Sequence, residues 1–501
     1  MDKRYRPTSG PDVHVADYIC EGGKPALCVR LDGVLLYGHI LWEWIVACAR
    51  HRPWLVFLFP VWRGLGRAYF ARQLVQRVFI DLDRLPYRRD VLDYLWQEKR
   101  MGRTILLVTS ADGALAQAMA QPLKLFDMVI ASEDQGEQHG EPTVERIRNY
   151  LKGTPFAYIG RSPSDFSLWR AAAESLAVAP RRSVLARLQT IRPPQRLFAG
   201  HPNGSVLCGM IRALRLSQWT KNLLLAVPLV MSHELGNPGL WGKLGCAFIA
   251  FGCCASSGYL LNDLLDLEAD RHHPRKRHRP FASGQSPLPI GLAGFLGLLV
   301  VGLGLAAWTV PGPFIGWLAL YLVLTFTYSV YCKRQLIVDA IFLAALYTLR
   351  VIAGGAVVEV DPTRWLLAFA MFFFLSLAFA KRYAELRRLA DENLTHAKGR
   401  SYVVEDLEVV GNLGVTSGYL SVLVFTLYLN SSPVVPQLYP RSEILWLISP
   451  VLLYWISRVW LLVRRGVLHE DPVVFTLTDR ISYVCGGLIL LLALLATHLR
   501  G

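Results

Sequence analysis

The sequence predicts a chain built from two structural classes. An N-terminal α/β domain with a parallel sheet is expected over residues 1–190, a linker over 191–211, and an all-α polytopic membrane domain over 212–501. Three observations carry this expectation. Hydrophobic residues make up 53% of the 501 and are unevenly placed, the chain being mixed to about residue 210 and dominated by long apolar stretches from Trp219 to Leu499. In the first part, short apolar runs alternate with helical segments, the order of a parallel α/β sheet. Between the two, Arg192-Pro193-Pro194-Gln195 and His201-Pro202-Asn203-Gly204 have the turn composition of a linker.

The elements of the first part follow in order. Residues 26–36 form a short apolar run closed by Asp32 and Gly33, a buried strand and its turn. Residues 105–112 are a second strand ending in the hydroxyls of Thr109 and Ser110. Residues 156–160 are a third, followed by Arg161, Ser162 and Asp165. Ligands of such sheets sit at these strand ends. The apolar runs 40–49 and 54–60 are split by Arg50-His51-Arg52-Pro53, so neither can span a membrane. They are expected as helices capping the sheet, with the membrane surface as the alternative place. The first residues (Met1 to Pro7) are not followed by an apolar core, so no signal peptide is expected, and the domain is placed on the cytoplasmic side. Nine scattered cysteines without a CxxC pair give no zinc ribbon or disulfide framework.

In the second part, nine stretches have spanning length, near 216–235, 241–262, 289–310, 313–331, 336–358, 364–381, 413–430, 443–463 and 483–499. Lys221 makes the first of them the least regular. With the N-terminus inside, the inner loops carry sixteen Lys and Arg, against Arg364, Arg441 and Arg500 outside. This charge bias fixes a cytoplasmic orientation in an inner membrane. It also accounts for the formal charge of +15, which therefore calls for no nucleic acid partner. A basic inner face suits anionic lipids and phosphorylated substrates.

Chemistry concentrates where the second stretch ends. Asn262, Asp263, Asp266 and Asp270 follow the apolar run, and a basic segment from Arg271 to Pro280 comes next. Spacings of three and four place the three carboxylates on one face of a continuing helix. Like charges crowded beside a bilayer are unfavourable, and a hard divalent cation such as Mg²⁺, which takes carboxylate and phosphate oxygens, would relieve them. Lys221, Arg271, Lys276 and Arg279 could neutralise the rest of a diphosphate. Within or at the ends of other spans stand Lys333, Asp339, Arg350, Lys381, Arg382 and Arg458. Asp339 and Arg350 lie inside spans, where ionisable groups face a polar cavity or a partner. Lys333, Arg334, Lys381 and Arg382 fit a substrate role and a snorkelling anchor equally, and Arg458 fits a structural anchor.

The segment Asn262-Asp263-x-x-Asp266-x-x-x-Asp270 at the end of a second span resembles the first acidic motif of the UbiA superfamily of intramembrane transferases, over roughly 212–501. Four further segments make the chain similar to one branch, the decaprenyl-phosphate phosphoribosyltransferases. They are Arg215-Leu-Ser-Gln-Trp-Thr-Lys221-Asn222, Asp270-Arg271-x-His273-Pro274-x-Lys276-Arg277-x-Arg279-Pro280, Tyr328-x-x-x-x-Lys333 and Lys381-Arg382-Tyr383-x-Glu385-Leu386. The resemblance implies a Mg²⁺-dependent transfer of 5-phosphoribosyl from phosphoribosyl pyrophosphate to a polyprenyl phosphate, with release of pyrophosphate. It implies Asn262, Asp263, Asp266 and Asp270 as metal ligands and Asp263, Asp266 and Lys333 as catalytic. Lys221, Arg271, Lys276, Arg279, Tyr328, Asp339, Arg350, Lys381 and Arg382 are the substrate contacts. Where prenyltransferases of the superfamily carry a second aspartate-rich motif, residues 328–355 offer only Asp339 among cations. Cations such as Lys333, Arg350, Lys381 and Arg382 suit the 5-phosphate of a phosphosugar better than an isoprenoid tail. The alternative is a prenyltransferase joining a prenyl diphosphate to an aromatic or other lipid acceptor. Polyprenyl length, oligomeric state and downstream pathway stay open.

Residues 25–180 resemble the haloacid-dehalogenase (HAD) phosphatases, but with departures. That family has two aspartates at the first strand, and here Arg30 stands in place of the nucleophile while Asp32 keeps the acid position. Thr109 or Ser110 keeps the second motif, Thr143 falls where a lysine is expected, and Arg161 replaces a metal-side aspartate before Asp165. The resemblance therefore implies a degenerate phosphatase whose arginines could bind a phosphate directly, or a scaffold without a ligand.

Overall fold

The computed structural model describes residues 24–132, 141–232, 234–395, 401–431, 435, 439–467, 472–476 and 478–498. The chain divides into two compact units. The first joins Met1–Ala213 with Asp263–Leu292, and the second joins Leu214–Asn262 with Ala293–Gly501.

The first unit is built on six parallel strands. They are β1 (Ala26–Arg30), β2 (Ile105–Asp112), β3 (Met128–Ser132), β4 (Phe156–Gly160), β5 (Glu174–Val178) and β6 (Arg196–Phe198), in the order β3-β2-β1-β4-β5-β6. Its first helices are α1 (Ile40–His51), α2 (Phe59–Gly64), α3 (Arg67–Arg77), α4 (Arg89–Arg100) and α5 (Gly113–Leu123). Then come α6 (Glu141–Tyr150), α7 (Phe166–Ala171), α8 (Arg182–Ile191) and α9 (Val206–Leu214), which reaches one residue past the unit's edge. The central strands read as unbroken apolar runs because both faces of a parallel sheet are covered, and every residue of β4 is buried. Leu27 of β1 pairs with Ile105 on one side and Ala157 on the other. Strand order reverses at β1, which opens a crevice at the carboxyl ends of β1 and β4. Arg30 closes β1, and Arg161 follows β4 directly. Strands β3, β5 and β6 join the three that the sequence predicts. The segment expected as a linker, 191–211, carries β6, which pairs with β5, and most of α9. The two apolar runs near residue 50 fold over the sheet, where Ile40, Trp44, Cys48, Leu55 and Trp62 join the core of Leu27 and Val29.

The segment 263–292 belongs to this unit through specific contacts. Its short helix is taken up below. Its following loop turns at Gly284, whose φ of 77° favours glycine and where a Cβ would come within 2.7 Å of Tyr37 and 2.9 Å of Pro86. Gln285 donates to the carbonyls of Asn203 and Ser205, and His201 bonds the Ser283 carbonyl.

Eight helices of the described residues are long and apolar enough to cross a membrane: Pro238–Leu265, Leu288–Thr309, Gly312–Arg334, Val338–Val358, Arg364–Asp391, Val404–Ser431, Ser442–Arg464 and Arg480–Thr497. The protein is thus an integral, multi-pass membrane protein. The sequence predicts nine spans, and the expected first one, 216–235, is not among the eight. It forms a 3₁₀ helix (Leu216–Ala226) continued by α10 (Val227–Met231). Pro228 cannot donate a backbone N–H to a preceding α-turn, and Arg215 enters the segment in the left-handed region. Small residues let the segment pack closely. A Cβ at Gly252 would meet the Trp219 ring at 2.6 Å, and one at Gly354 would meet the Leu225 carbonyl oxygen at 2.2 Å. At about 2.0 Å per 3₁₀ residue and 1.5 Å per α residue the segment still runs about 30 Å.

Candidate functional site

The acidic motif does not lie on one continuous helix, as the spacing predicts. Helix α11 (Pro238–Leu265) carries Asp263 in its last turn and stops. Asp266 is the N-cap of a separate helix, α12 (Leu267–His272), which carries Asp270. Aspartate is a weak helix former and a good cap, and a continuous helix would have stacked three carboxylates on one face. Asp263 and Asp270 are buried, and their carboxylates converge on one guanidinium. Arg279 Nη1 lies 3.0 Å from Asp263 Oδ1 and 2.7 Å from Asp270 Oδ2. Burial pushes the Asp270 carboxyl above its usual range, against the pull of Arg279. Among the described residues, no group of three His, Cys, Asp or Glu is gathered around a common metal position. The donors fit Mg²⁺ in kind all the same, because two buried carboxylates already share one cation and hard oxygens are what Mg²⁺ takes. Lys276 is exposed on the same loop.

Arg271, expected to meet substrate phosphate, is engaged elsewhere. Its guanidinium is buried and makes a two-pronged ion pair with Glu43 of α1 at 2.9 and 3.0 Å, while Nε donates to the Ala282 carbonyl. Arg50 and His51 reach Glu268 at 3.1 and 3.3 Å, and His272 lies 3.2 Å from Asp81. Helix α12 is therefore held on one side by residues of the α/β unit.

In the second unit, Arg350 of the helix Val338–Val358 is 4% exposed. It donates to the Leu346 carbonyl at 2.6 Å, to Tyr321 Oη at 3.0 Å and to Asn222 Oδ1 at 3.3 Å. It also stacks on the rings of Phe251, Tyr321 and Tyr347. Among the described residues it meets no carboxylate. Lys221, also buried, sits 5.3 Å from the Tyr347 ring. The Asn222 amide nitrogen is buried without a partner among the described residues.

A second buried group brings three of the expected contacts together. Asp339 is fully buried and pairs with Arg382 at 2.8 Å and with the hydroxyl of Tyr402 at 2.7 Å, and Arg382 reaches Glu385 at 2.5 Å. Tyr328 lies within electrostatic reach of Arg382, Asp339 and Lys381. Asp339 and Arg382, expected as substrate contacts, thus neutralise one another inside the bundle. Lys333 and Lys381 are half-buried and have interactions of their own. Arg458 pairs with Asp479 through two bonds, 2.7 and 3.0 Å, the geometry of an anchor.

In the crevice of the α/β sheet, Arg30 Nη1 donates to Ser162 Oγ at 2.6 Å, Asp165 Oδ1 at 2.7 Å and Ser164 Oγ at 3.0 Å. Burial opposes its charge, but Asp165 and Tyr158 outweigh burial and hold the guanidinium above its ordinary pKa. Asp32 accepts from the Ile40 backbone N–H at the start of α1 and lies 3.5 Å from His39. Arg161 donates to the Gly33 carbonyl, and burial together with Arg181 and Arg30 lowers its pKa. Thr109 is buried, and the Ser110 side chain lies outside the described residues.

The model of the family described as "UbiA prenyltransferase family" matches residues 223–495. The chain belongs to the UbiA prenyltransferase family. An uncharacterized protein of Sinorhizobium fredii, y4nM, is 31% identical over 95% of this chain and 92% of its own length, so it shares both parts. A decaprenyl-phosphate phosphoribosyltransferase of Mycolicibacterium smegmatis is 37% identical over 44% of this chain and 70% of its own length. Among solved structures, apo phosphoserine phosphatase is 13% identical, covers 35% of this chain and 94% of its own, and has a TM-score of 0.24.

Sequence reasoning missed several groups of this UbiA-family chain. Glu43 had a visible signal, since a lone carboxylate in the apolar run Ile40–Ala47 must find a partner once buried. Tyr402, Tyr347 and Tyr321 had none, because an isolated tyrosine in an apolar stretch is ordinary packing material.

Proposed function

We propose that this UbiA-family chain is a polyprenyl-phosphate phosphoribosyltransferase, moving 5-phosphoribosyl from phosphoribosyl pyrophosphate to a polyprenyl phosphate at the cytoplasmic face of an inner membrane. The observation that carries this reading is the buried, carboxylate-free guanidinium of Arg350, with buried Lys221 beside the same tyrosine ring and the unpartnered Asn222 amide next to it. A charge buried without a counter-ion is unfavourable, and among the described residues the Arg350 guanidinium meets only neutral acceptors, so an anion would complete its surroundings. A phosphate group meets that demand with oxygens for every donor, whereas an isoprenoid tail meets none of it. The likeness to decaprenyl-phosphate phosphoribosyltransferase supports the same substrate class.

Asn262, Asp263, Asp266 and Asp270 would hold Mg²⁺, which when bound supplies charge neutralisation for a diphosphate leaving group. Arg279 and Lys276 carry the nearby positive charge. Lys221 and Arg350 bind and orient phosphate, with Lys333 and Lys381 as further cations. The acceptor phosphate needs no strong base, because a phosphate monoester with a second pKa of about 6 is already ionised at neutral pH. An acceptor oxygen forms the bond to the anomeric carbon as the bond to pyrophosphate breaks. In the α/β unit, an arginine at the nucleophile position cannot form an aspartyl-phosphate, so that crevice is inactive as a phosphatase in this reading.

Pyrophosphate release by the purified full-length chain with Mg²⁺, phosphoribosyl pyrophosphate and a polyprenyl phosphate, read beside the mass of the lipid, tests the proposal. A lipid heavier by one phosphoribosyl unit supports it. No such product, with turnover of a prenyl diphosphate and an aromatic acceptor instead, refutes it.

A further inference from the structure

The cap of the α/β sheet carries an exposed apolar surface that neither the crevice nor the acidic motif uses. It runs along the 3₁₀ helix Pro53–Leu58 and α2. The segment has two faces. Leu55 and Trp62 are buried in the core, and Trp62 is further pinned by the Arg77 guanidinium, 4.9 Å from its ring. The other face presents Trp54 (58% exposed), Phe57 (84%), Val61 (59%) and Leu65 (63%). The inner anchors fix the segment, so the outer residues cannot turn inward. A contiguous outward apolar surface of this kind marks an interaction site.

Position and charge identify the partner. The helix leading into the segment, α1, is joined to the end of a membrane span. Arg50 and His51 reach Glu268 at 3.1 and 3.3 Å, and Glu268 lies three residues after Leu265, where the span Pro238–Leu265 ends. Val46, Ala47 and Arg50 line one small cavity together with Leu264 and Leu265, the last two residues of that span. Trp54 follows His51 by three residues. The apolar surface therefore starts three residues after side chains that contact the segment directly following Leu265, where that span ends. Exposed Arg52 and Arg63 flank it. Aromatic and aliphatic side chains with arginines between them are the composition of interfacial membrane segments, and arginines suit anionic headgroups.

We propose that residues 53–65 form a membrane-seating surface, with Trp54, Phe57, Val61 and Leu65 dipping into the headgroup region of an anionic bilayer. The α/β unit is then attached to lipid directly as well as through the spans. This inference does not depend on which donor or acceptor the transferase uses.

The test uses the full-length chain in phosphatidylglycerol–phosphatidylcholine nanodiscs containing a phospholipid with a photoactivatable group high in its acyl chain. Adducts are mapped by mass spectrometry after illumination. Adducts on the peptide spanning 53–65, lost in the double variant F57E/V61E while those on the spans remain, support the proposal. Adducts confined to the spans overturn it, since the spans report that labelling worked. Chemical cross-links joining 53–65 of one copy to the same segment of another, without lipid adducts there, overturn it in favour of self-association. The wild-type pattern decides the matter even where the double variant fails to fold.

Discussion

The pair Glu43–Arg271 ties a helix of the α/β cap to the helix that carries Asp270, and its removal should be felt at the acidic motif. Both side chains are nearly inaccessible, at 5% and 7%. E43A leaves Arg271 buried with only the Ala282 carbonyl as a partner. Breaking a buried pair by removing one member costs about 3–5 kcal/mol, and the surviving carbonyl bond places this case near the lower end. About 3 kcal/mol corresponds to roughly a hundredfold change in the equilibrium for opening the segment. Hydrogen exchange of the amides of α12 in the full-length protein reads this directly, because the Asp270 and His273 amides bond within the segment, to Asp266 and Asp270. E43A should exchange about a hundredfold faster there, while amides in β1 and β4 change little. The double variant E43A/R271A removes both charges and leaves none stranded, so its effect should fall well below the sum of the two singles. Exchange within threefold of wild type in E43A, or strict additivity in the double, would show that packing alone holds α12 and that the ion pair contributes nothing.

Three further outcomes are expected. D263A or D266A should lower phosphoribosyl transfer by orders of magnitude while the protein still inserts and purifies as wild type; near-normal turnover would remove the metal assignment. R350Q gives up charge-assisted bonds each worth about 1.5–3 kcal/mol, so KM for the phosphoribosyl donor should rise tenfold or more, with kcat moving less. In the sheet crevice, the bond to Asp32 raises the His39 pKa against burial and Arg30. A raised pKa stabilises the fold fully below the ordinary histidine value, near 6.5, and the contribution fades as pH climbs through the raised value. D32N keeps an oxygen for the Ile40 N–H but removes the charge, so it should flatten that part of the Tm–pH curve. The change should be small because His39 is largely exposed; an unchanged curve would mean that His39 does not titrate against Asp32.

What the sequence made legible was whatever repeats along the chain. Apolar run length located eight of the nine expected spans, and unbroken Val, Ile and Leu runs located the three central strands, because each of these signals is local. The first expected span has the right composition but not the right helix. Lys221, Pro228 and close packing against Gly252 and Gly354 select a 3₁₀ rod, and no local count contains that information. Edge strand β6 has only three residues and lies among prolines and arginines, so composition points to a linker. The site divides in the same way. Asp263, Asp270 and Arg279 come together as their proximity in sequence implies, and Arg350 is buried as its depth in a span requires. Asp339 with Arg382 and Tyr402, or Arg271 with Glu43, pair across 43 to 228 residues, distances at which spacing is silent.

That last pair is one of several by which the α/β unit holds α12. In the sheet crevice, Arg30 is already bonded to Ser162, Ser164 and Asp165. The same unit supplies several charged partners of α12: Glu43 for Arg271, Arg50 and His51 for Glu268, and Asp81 for His272. None of these four partners belongs to the crevice. Drift at Arg30 or Arg161 would leave them intact, whereas loss of the cap would leave Arg271 buried without its counter-ion.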